Sequence, residues 1–180
     1  MLIVLAWFFV AFGTMELTAY LMHRYLMHGP LWFLHESHHR PREGHFEKND
    51  LFGIFFALPS MVLIFFGVLG SPTSLGIGLG MTAYGACYFL LHDVLVHRRL
   101  KWRIPKGPMR RYLEGLVTAH HFHHRTIERE GAKSFGFLWA PERYRAKTRS
   151  SDAALDAASA STSVSSSDER APDRTPALPA

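Results

Sequence analysis

The chain has 180 residues, enough for one principal domain, with 48% apolar residues and a formal net charge of +5. Its single cysteine, Cys87, excludes an intramolecular disulfide and any cluster that needs four thiolates. Twelve histidines are the unusual feature of this composition, and any functional account has to explain them.

Three apolar runs have the length of membrane spans. Residues 2–22 carry the single charge Glu16, and residues 51–70 and 75–91 carry none. At a rise of about 1.5 Å per residue, about 20 residues cross a hydrocarbon core of about 30 Å. The sequence therefore predicts an all-α, multi-pass transmembrane helical bundle with three spans.

Local signals add detail to this bundle. Pro59 predicts a kink in the second span, and residues 71–74 predict a compact turn before the third. Gly76 and Gly80 have the small-xxx-small spacing that favours close helix packing in lipid. The apolar stretch at 112–119 is too short to span, and it predicts a fourth helix that packs near the membrane surface.

The distribution of charge predicts an orientation. All 20 Lys and Arg lie in residues 23–50 and 92–180, which three spans place on the same side. The positive-inside tendency assigns that side to the cytoplasm, and hence the chain to the cell inner (cytoplasmic) membrane. It also explains the basic residues without nucleic acid. Composition separates a membrane domain, 1–146, from a Ser/Ala/Pro-rich tail, 147–180, that we expect to be disordered.

Ten of the histidines form four groups at the predicted cytosolic ends of the spans. The groups are His23-x4-His28, His35-x2-His38-His39, His92-x4-His97 and His120-x2-His123-His124. Positions three or four apart share a helix face, whereas adjacent histidines point about 100° apart and suit two different metal ions. Five-residue spacing gives about 140° on an α-helix, so we expect Gly29-Pro30 to end the helix and turn His28 away from the helical track.

Ten imidazoles exceed the four ligands of a closed zinc site. They fit two metal ions, each with an open position. Imidazole binds zinc, copper, iron and nickel, so the ligand type leaves the metal open. An open, all-nitrogen binuclear site beside an apolar bundle favours iron that activates dioxygen against an inert C–H bond. The non-enzymatic alternative is a membrane metal transporter or sensor, although transporters place their ligands near the bilayer midplane.

Polar residues beside the histidines are candidates to accept the second ring N–H and fix the tautomer. They are Glu36, Glu47, Asn49, Asp50 and Asp93. Glu16 is a separate case, because an acidic group within a span is costly and usually functional. It lies about 10 Å deeper than His23 on nearly the same helix face, so it either supports the metal site or bonds within the bundle.

The histidine pattern and its flanking stretches resemble the bacterial β-carotene hydroxylase family, within the fatty-acid-hydroxylase group of membrane di-iron enzymes. The stretches are His35-Glu36-Ser37-His38-His39 with Pro41-Arg42, Phe46-Glu47-x-Asn49-Asp50, Arg103-Ile104-Pro105 and Ser134-Phe135-Gly136-Phe137-Leu138. The resemblance covers about residues 1–146. It implies that the ten grouped histidines are the catalytic iron ligands, and it leaves His45 and His121 outside the ligand set.

This resemblance implies O2-dependent hydroxylation of carotenoid β-ionone rings at C3, from β-carotene to β-cryptoxanthin to zeaxanthin, with two iron ions. Electrons would come from a reduced ferredoxin-type donor and its reductase. A carotenoid ketolase, or a sterol or fatty-acyl hydroxylase or desaturase, is the alternative. A C40 carotenoid is about as long as the hydrocarbon layer of about 30 Å, so its ring would lie near the interface that carries the histidines.

Overall fold

A computed structural model describes residues 1–41, 44 and 46–144; Arg42, His45 and the whole predicted tail lie outside those residues. Within the described residues, all regular secondary structure is helical, as predicted. The α-helices are α1 (Leu2–Leu21), α2 (Trp32–His35), α3 (Asp50–Val68), α4 (Pro72–Tyr88) and α5 (Arg110–His123). Two π-helices continue α1 and α4 directly, at Met22–Met27 and Phe89–Val96, and a 3₁₀-helix, Glu36–His39, follows α2.

In the part of the chain that the structure describes, three helical segments are long and apolar enough to cross a membrane: Leu2–Met27, Asp50–Val68 and Pro72–Val96. They confirm the three predicted spans. The first and third extend beyond the apolar runs in the sequence because the π-helices carry them on to the histidines. Large apolar side chains such as Leu58 and Phe65 are exposed on the outer surface of the bundle, which suits contact with lipid.

The connection between the second and third spans differs from the predicted turn at residues 71–74. Helix α4 already begins at Pro72, with Ser71 as its N-cap: the Ser71 hydroxyl accepts a hydrogen bond from the Ser74 N–H. Proline suits the first helical position because the N–H that it lacks would have no partner there. Gly70, at a φ of 110°, makes the reversal instead, while α3 continues through Pro59 unbroken.

Glycines let α4 pack closely between α1 and α3. A Cβ added at Gly76 or Gly80 would lie 2.5 Å from a backbone oxygen of α1. One added at Gly78 would lie 2.9 Å from a backbone oxygen of α3. The close packing predicted from the spacing of Gly76 and Gly80 is therefore confirmed. It holds α1 and α4 side by side, so that their π-helical ends emerge next to each other.

The predicted fourth helix is α5. It begins at Arg110, buries Leu116 and Ala119, and packs against the second π-helix. Ala140 and Tyr144, from the segment that follows, complete this small apolar cluster. The C-terminal end of α5 is thereby fixed beside the ends of the first and third spans, and it delivers three more of the grouped histidines there.

We expect Gly80→Ala to lower the thermal stability of the protein in detergent, because the new methyl group has no space against α1. The matched control is Gly13→Ala in α1, where nothing lies within 4 Å of the added Cβ. Alanine also has the better intrinsic helix propensity, by about 1 kcal/mol, so the control variant should unfold at the same or a higher temperature. Equal melting temperatures for the two variants would contradict the packing described here.

Candidate metal centre

All ten grouped histidines converge at one end of the bundle. In a five-histidine cluster each ring offers one nitrogen, and these five nitrogens all lie within 4.8 Å of one another: His23, His28, His35, His39 and His123. A four-histidine cluster meets the same limit: His38, His97, His120 and His124. His92 adjoins the second cluster, with its Nε2 3.0 Å from the Nε2 of His38. His121, by contrast, is exposed and belongs to neither cluster.

Adjacent histidines separate between the clusters, as their angular spacing predicts. His38 and His124 face the four-histidine cluster, and their neighbours His39 and His123 face the five-histidine cluster. Histidines four residues apart lie on the same side of the helical segment, and His35 and His39 accordingly belong to the same cluster. Each cluster draws on several segments of the chain, so neither can form before the bundle has assembled.

The two five-residue spacings lie in π-helices, and the first of these ends at Met27, just before Gly29-Pro30 as predicted, with His28 as a C-cap outside helical geometry. The His28 N–H donates to the His23 carbonyl at 3.1 Å, and the His97 N–H donates to the His92 carbonyl at 2.9 Å. This hydrogen bond widens the turn and brings residues five apart closer to one face than the roughly 140° of an α-helix allows. The two His-x4-His pairs therefore have the same local structure, a π-helical hydrogen bond between residues five apart.

Six of the rings are oriented by an oxygen that accepts a hydrogen bond from Nδ1. The acceptors are Phe135 O for His23 (3.1 Å), Arg129 O for His28 (2.8 Å), Asn49 Oδ1 for His35 (2.7 Å), Glu47 Oε2 for His38 (3.0 Å), Thr126 O for His39 (2.8 Å) and Asp93 Oδ1 for His92 (2.7 Å). In each ring the proton therefore sits on Nδ1, and Nε2 keeps its lone pair.

Three of the five polar residues proposed from the sequence do face a histidine ring: Glu47, Asn49 and Asp93. The other two have different partners. Glu36 accepts from the exposed Arg40, and Asp50 pairs with Arg99, which holds the start of α3 against the segment after the second π-helix. The three carbonyl acceptors were missed, because a backbone oxygen leaves no signal in a sequence.

The nitrogen atoms that face inward are arranged for a cation. His23 Nε2 lies 3.1 Å from His35 Nε2, His39 Nε2 lies 3.3 Å from His35 Nε2, and the His38–His92 pair is equally close. Both members of each pair carry their proton on the other ring nitrogen, so neither can donate to its neighbour. Facing lone pairs repel unless a positive ion lies between them. The donor set therefore fits metal ions bound through imidazole nitrogen.

Burial keeps these rings in the neutral form that a metal requires. Desolvation lowers the pKa of His35 to about 3 and that of His39 to about 4. It lowers the pKa of His123 to about 2, and it holds the pKa of His38 and His120 well below the ordinary value of 6.5. Neighbouring histidines lower the pKa of each further. At neutral pH the site thus presents lone pairs rather than charges.

An apolar cavity of about 570 Å³ lies between α1, α3 and α4, and aromatic residues of its lining pack against His92 and His23. Its deeper walls are apolar side chains that include Met15, Phe56 and Met81. Its inner end is formed partly by Tyr88 and Phe137, whose ring centroids lie 4.5 and 5.4 Å from that of His92. Tyr88 was not predicted to line the cavity beside His92, although its position four residues before His92 places both on one helix face.

A membrane bundle of this kind, with a buried two-part histidine site that could hold metal ions close to an apolar cavity, is typical of a class of integral-membrane enzyme. Residues 8–141 match the fatty acid hydroxylase family, and the chain belongs to that family. Together with the relatives below, this membership identifies it as a hydroxylating enzyme.

Several curated relatives carry the same name. The chain is 49% identical to a β-carotene hydroxylase of Pantoea ananas over 133 residues, which cover 74% of this chain and 75% of the relative. It is 51% identical to one from Pseudescherichia vulneris over 126 residues, 70% of each chain. A chloroplastic β-carotene hydroxylase of Capsicum annuum is 44% identical over 65% of this chain and 39% of its own length. No solved structure gives a significant match.

We expect purified protein to hold two metal ions per chain, one for each cluster of lone pairs. His123→Ala and His38→Ala should each lower the metal content, because each removes a donor from a different cluster. Elemental analysis of the detergent-purified protein measures this directly. His121→Ala is the control, since that exposed ring belongs to neither cluster and its loss should leave the content unchanged. One ion per chain in the unsubstituted protein would contradict a binuclear centre.

Proposed function

We propose that the protein hydroxylates carotenoid β-ionone rings at C3, converting β-carotene to β-cryptoxanthin and then to zeaxanthin at a histidine-ligated di-iron site. The observation that carries this proposal is the apolar cavity whose inner end is lined by Tyr88 and Phe137, which pack directly against histidine rings of the site. The names of the bacterial and plant relatives supply the substrate class.

The cavity suits one end of a long apolar molecule that enters from the bilayer. Along α3 its lining residues run from Asn49 to Met61, a rise of about 18 Å at 1.5 Å per residue. A carotenoid is about as long as the hydrocarbon layer of about 30 Å, so the rest of the molecule would extend into lipid. The polar lining groups lie mainly at the histidine end, where Asn49, Asp93 and Arg99 border the cavity.

In this proposal the five-histidine cluster holds one iron ion, and the four-histidine cluster together with His92 holds the other. Bound iron would supply the activation of dioxygen that an unactivated ring C–H bond requires. The protein's own contribution is to fix the rings. The Glu47 and Asp93 carboxylates accept from Nδ1 of His38 and His92, which keeps both Nε2 lone pairs directed inward.

The residues at the inner end of the cavity orient the substrate and exclude water. Phe137 stacks on His23 with ring centroids 5.1 Å apart, and Tyr88 packs edge-on against Phe137 at 4.8 Å. A β-ionone ring that reaches this end would meet aromatic faces rather than solvent. One oxygen atom of O2 enters the ring and the other leaves as water, with two electrons from a reduced ferredoxin-type donor and its reductase and two protons from water.

We also propose that the protein lies in the cytoplasmic membrane with the histidine clusters on the cytoplasmic side. The support is the positive-inside tendency, because every Lys and Arg lies either at the histidine end of the first span, as Arg24 does, or in segments that three spans place on the histidine side. A carotenoid dissolved in the same bilayer reaches the cavity laterally, while a soluble electron donor reaches the histidine side from the cytoplasm.

A time course in membranes that contain β-carotene tests the activity and the geometry together. The clusters lie at one end of the bundle only, so one binding event presents one of the two equivalent rings. Reversal of the product requires its new hydroxyl to cross hydrocarbon, at a cost on the order of several kcal/mol. We therefore expect the monohydroxylated product to accumulate first and the dihydroxylated product to follow after a lag.

The measurement is chromatography with mass analysis of the extracted pigments, at substrate well above enzyme. Dihydroxylated product without a lag, and with monohydroxylated pigment never above the enzyme concentration, would exclude one ring per encounter. A 4-keto product would instead identify a ketolase. Hydroxylated acyl chains or sterols with unchanged β-carotene would favour a lipid hydroxylase. His38→Ala, which removes a proposed iron ligand, should abolish whichever product is found.

The orientation has a separate test. We expect a reporter enzyme fused after Lys147 to be active only in the cytoplasm, because that position follows the histidine side of the third span. A reporter inserted between Ser71 and Pro72, at the opposite end of the bundle, should be active only outside the cytoplasm. The reverse pattern would contradict the proposed orientation, whereas equal signals from both fusions would contradict three spans.

A further inference from the structure

Glu16 lies inside the first span, and its carboxylate accepts hydrogen bonds from four donors. Oε1 lies 3.0, 3.1 and 3.2 Å from the backbone nitrogens of Phe137, Leu138 and Trp139. Oε2 accepts from the Tyr84 hydroxyl at 2.7 Å and lies 3.1 Å from the Leu138 nitrogen. Three successive N–H groups around one carboxylate form an anion-binding nest, which offsets the cost of an acidic group at this depth.

The nest belongs to a segment, residues 135–139, that follows α5 and returns to the bundle. Gly136 is required for the close approach, because a Cβ there would lie 3.1 Å from Glu16 Oε1 and 2.7 Å from the Trp139 carbonyl oxygen. The Tyr112 hydroxyl of α5 donates to the Leu138 carbonyl. The 135–139 segment is therefore held from both sides, by α1 through Glu16 and by α5 through Tyr112.

This segment joins the histidine clusters to the cavity. Its Phe135 carbonyl accepts from Nδ1 of His23 at 3.1 Å, which fixes the tautomer of that ring. Its Phe137 ring stacks on His23 and also lines the apolar cavity, as does Tyr84, the other partner of Glu16. Phe137 is thus a wall shared by the clusters and the cavity, and Glu16 is the charged group that fixes its backbone.

From this arrangement we propose that Phe137 determines which ring carbon faces the metal centre and that Glu16 is the positioning residue that sets Phe137. The proposal rests on the hydroxylase function proposed above and adds the residues that control its regiochemistry. Neighbouring ring carbons are separated by one C–C bond of about 1.5 Å. A displacement of the cavity wall by that distance is enough to present a different carbon.

Glu16→Gln separates this proposal from a purely structural role. Glutamine has nearly the same size, and its one oxygen can still accept from the nest. It lacks the negative charge, however, and its NH₂ group cannot accept from the Tyr84 hydroxyl or from the Leu138 N–H as Oε2 does. Hydrogen exchange by mass spectrometry on the metal-loaded, full-length protein should show the amides of the 135–139 segment exchanging about tenfold faster or more, the effect of losing a charged hydrogen bond. The exposed Glu130→Gln is the matched control and should exchange like the unsubstituted protein.

Product analysis from β-carotene gives the second measurement. We expect both Glu16→Gln and Phe137→Leu to yield hydroxyl groups at ring carbons other than the main site of the unsubstituted enzyme. Exchange should rise only in Glu16→Gln, because Phe137→Leu keeps the nest and removes the aromatic wall. Metal content should stay unchanged in both variants, since neither side chain belongs to a histidine cluster.

Three results would overturn the proposal. Unchanged exchange in Glu16→Gln would show that the nest does not hold the segment. If exchange becomes faster in Glu16→Gln but both variants hydroxylate the same ring carbon as the unsubstituted enzyme, the segment does not position the ring. If Glu16→Gln loses metal and Phe137→Leu hydroxylates the same ring carbon as before, the contact between Glu16 and the 135–139 segment stabilises the fold and does not control the position of hydroxylation. If the unsubstituted protein makes no hydroxylated carotenoid, the proposed function fails, and the exchange result still decides whether Glu16 holds the segment.

Discussion

Neutral imidazoles that point their lone pairs at one another from about 3 Å repel, and the rest of this structure is arranged around that repulsion. The rings cannot relieve it by sharing protons, because oxygen acceptors hold the proton of six of them on Nδ1. They cannot relieve it by taking up protons either, since burial lowers the pKa of rings such as His35. A cation between the facing nitrogens would remove this repulsion. The surrounding carboxylates, carbonyls and π-helices hold the rings with their Nε2 atoms close together, despite the repulsion between the lone pairs.

The main elements of this arrangement could be predicted from the sequence for identifiable reasons. Uninterrupted apolar runs of about 20 residues have few alternatives to a membrane helix, so the spans were found. Angular arithmetic on a helix explains why His38 and His39 serve different clusters. The end of the first helix at Gly29-Pro30 was also predicted, but the arithmetic assumed α-helical geometry where the chain forms a π-helix. Nothing in the residues of the first π-helix marks it as such, apart from the histidine spacing itself.

Contacts made by the backbone account for most of what the sequence could not predict. The carbonyls of Thr126, Arg129 and Phe135 orient three histidine rings, yet any residue type would supply the same oxygen atom. Long-range pairings are equally hidden: Glu16 was recognisable as an unusual acidic residue in a span, but its three backbone partners lie more than 120 positions away. Gly136 is the one local trace of that interaction, and its meaning becomes clear only when the carboxylate is seen beside it.

The pairing of Glu16 with a late segment constrains how the protein can assemble. An unpaired acidic side chain near the middle of a helix in lipid costs about 2.5 to 3.5 kcal/mol on insertion scales, and His23 also lacks its acceptor until Phe135 arrives. Both groups belong to the first span, and both are satisfied by residues 135–139, which follow α5 and are therefore made later. Docking of that segment therefore supplies hydrogen-bond partners to both unsatisfied polar side chains of the first span, Glu16 and His23. It also closes the inner end of the cavity with Phe137. Completion of the bundle, orientation of a histidine ring and formation of the cavity wall are consequently one event rather than three.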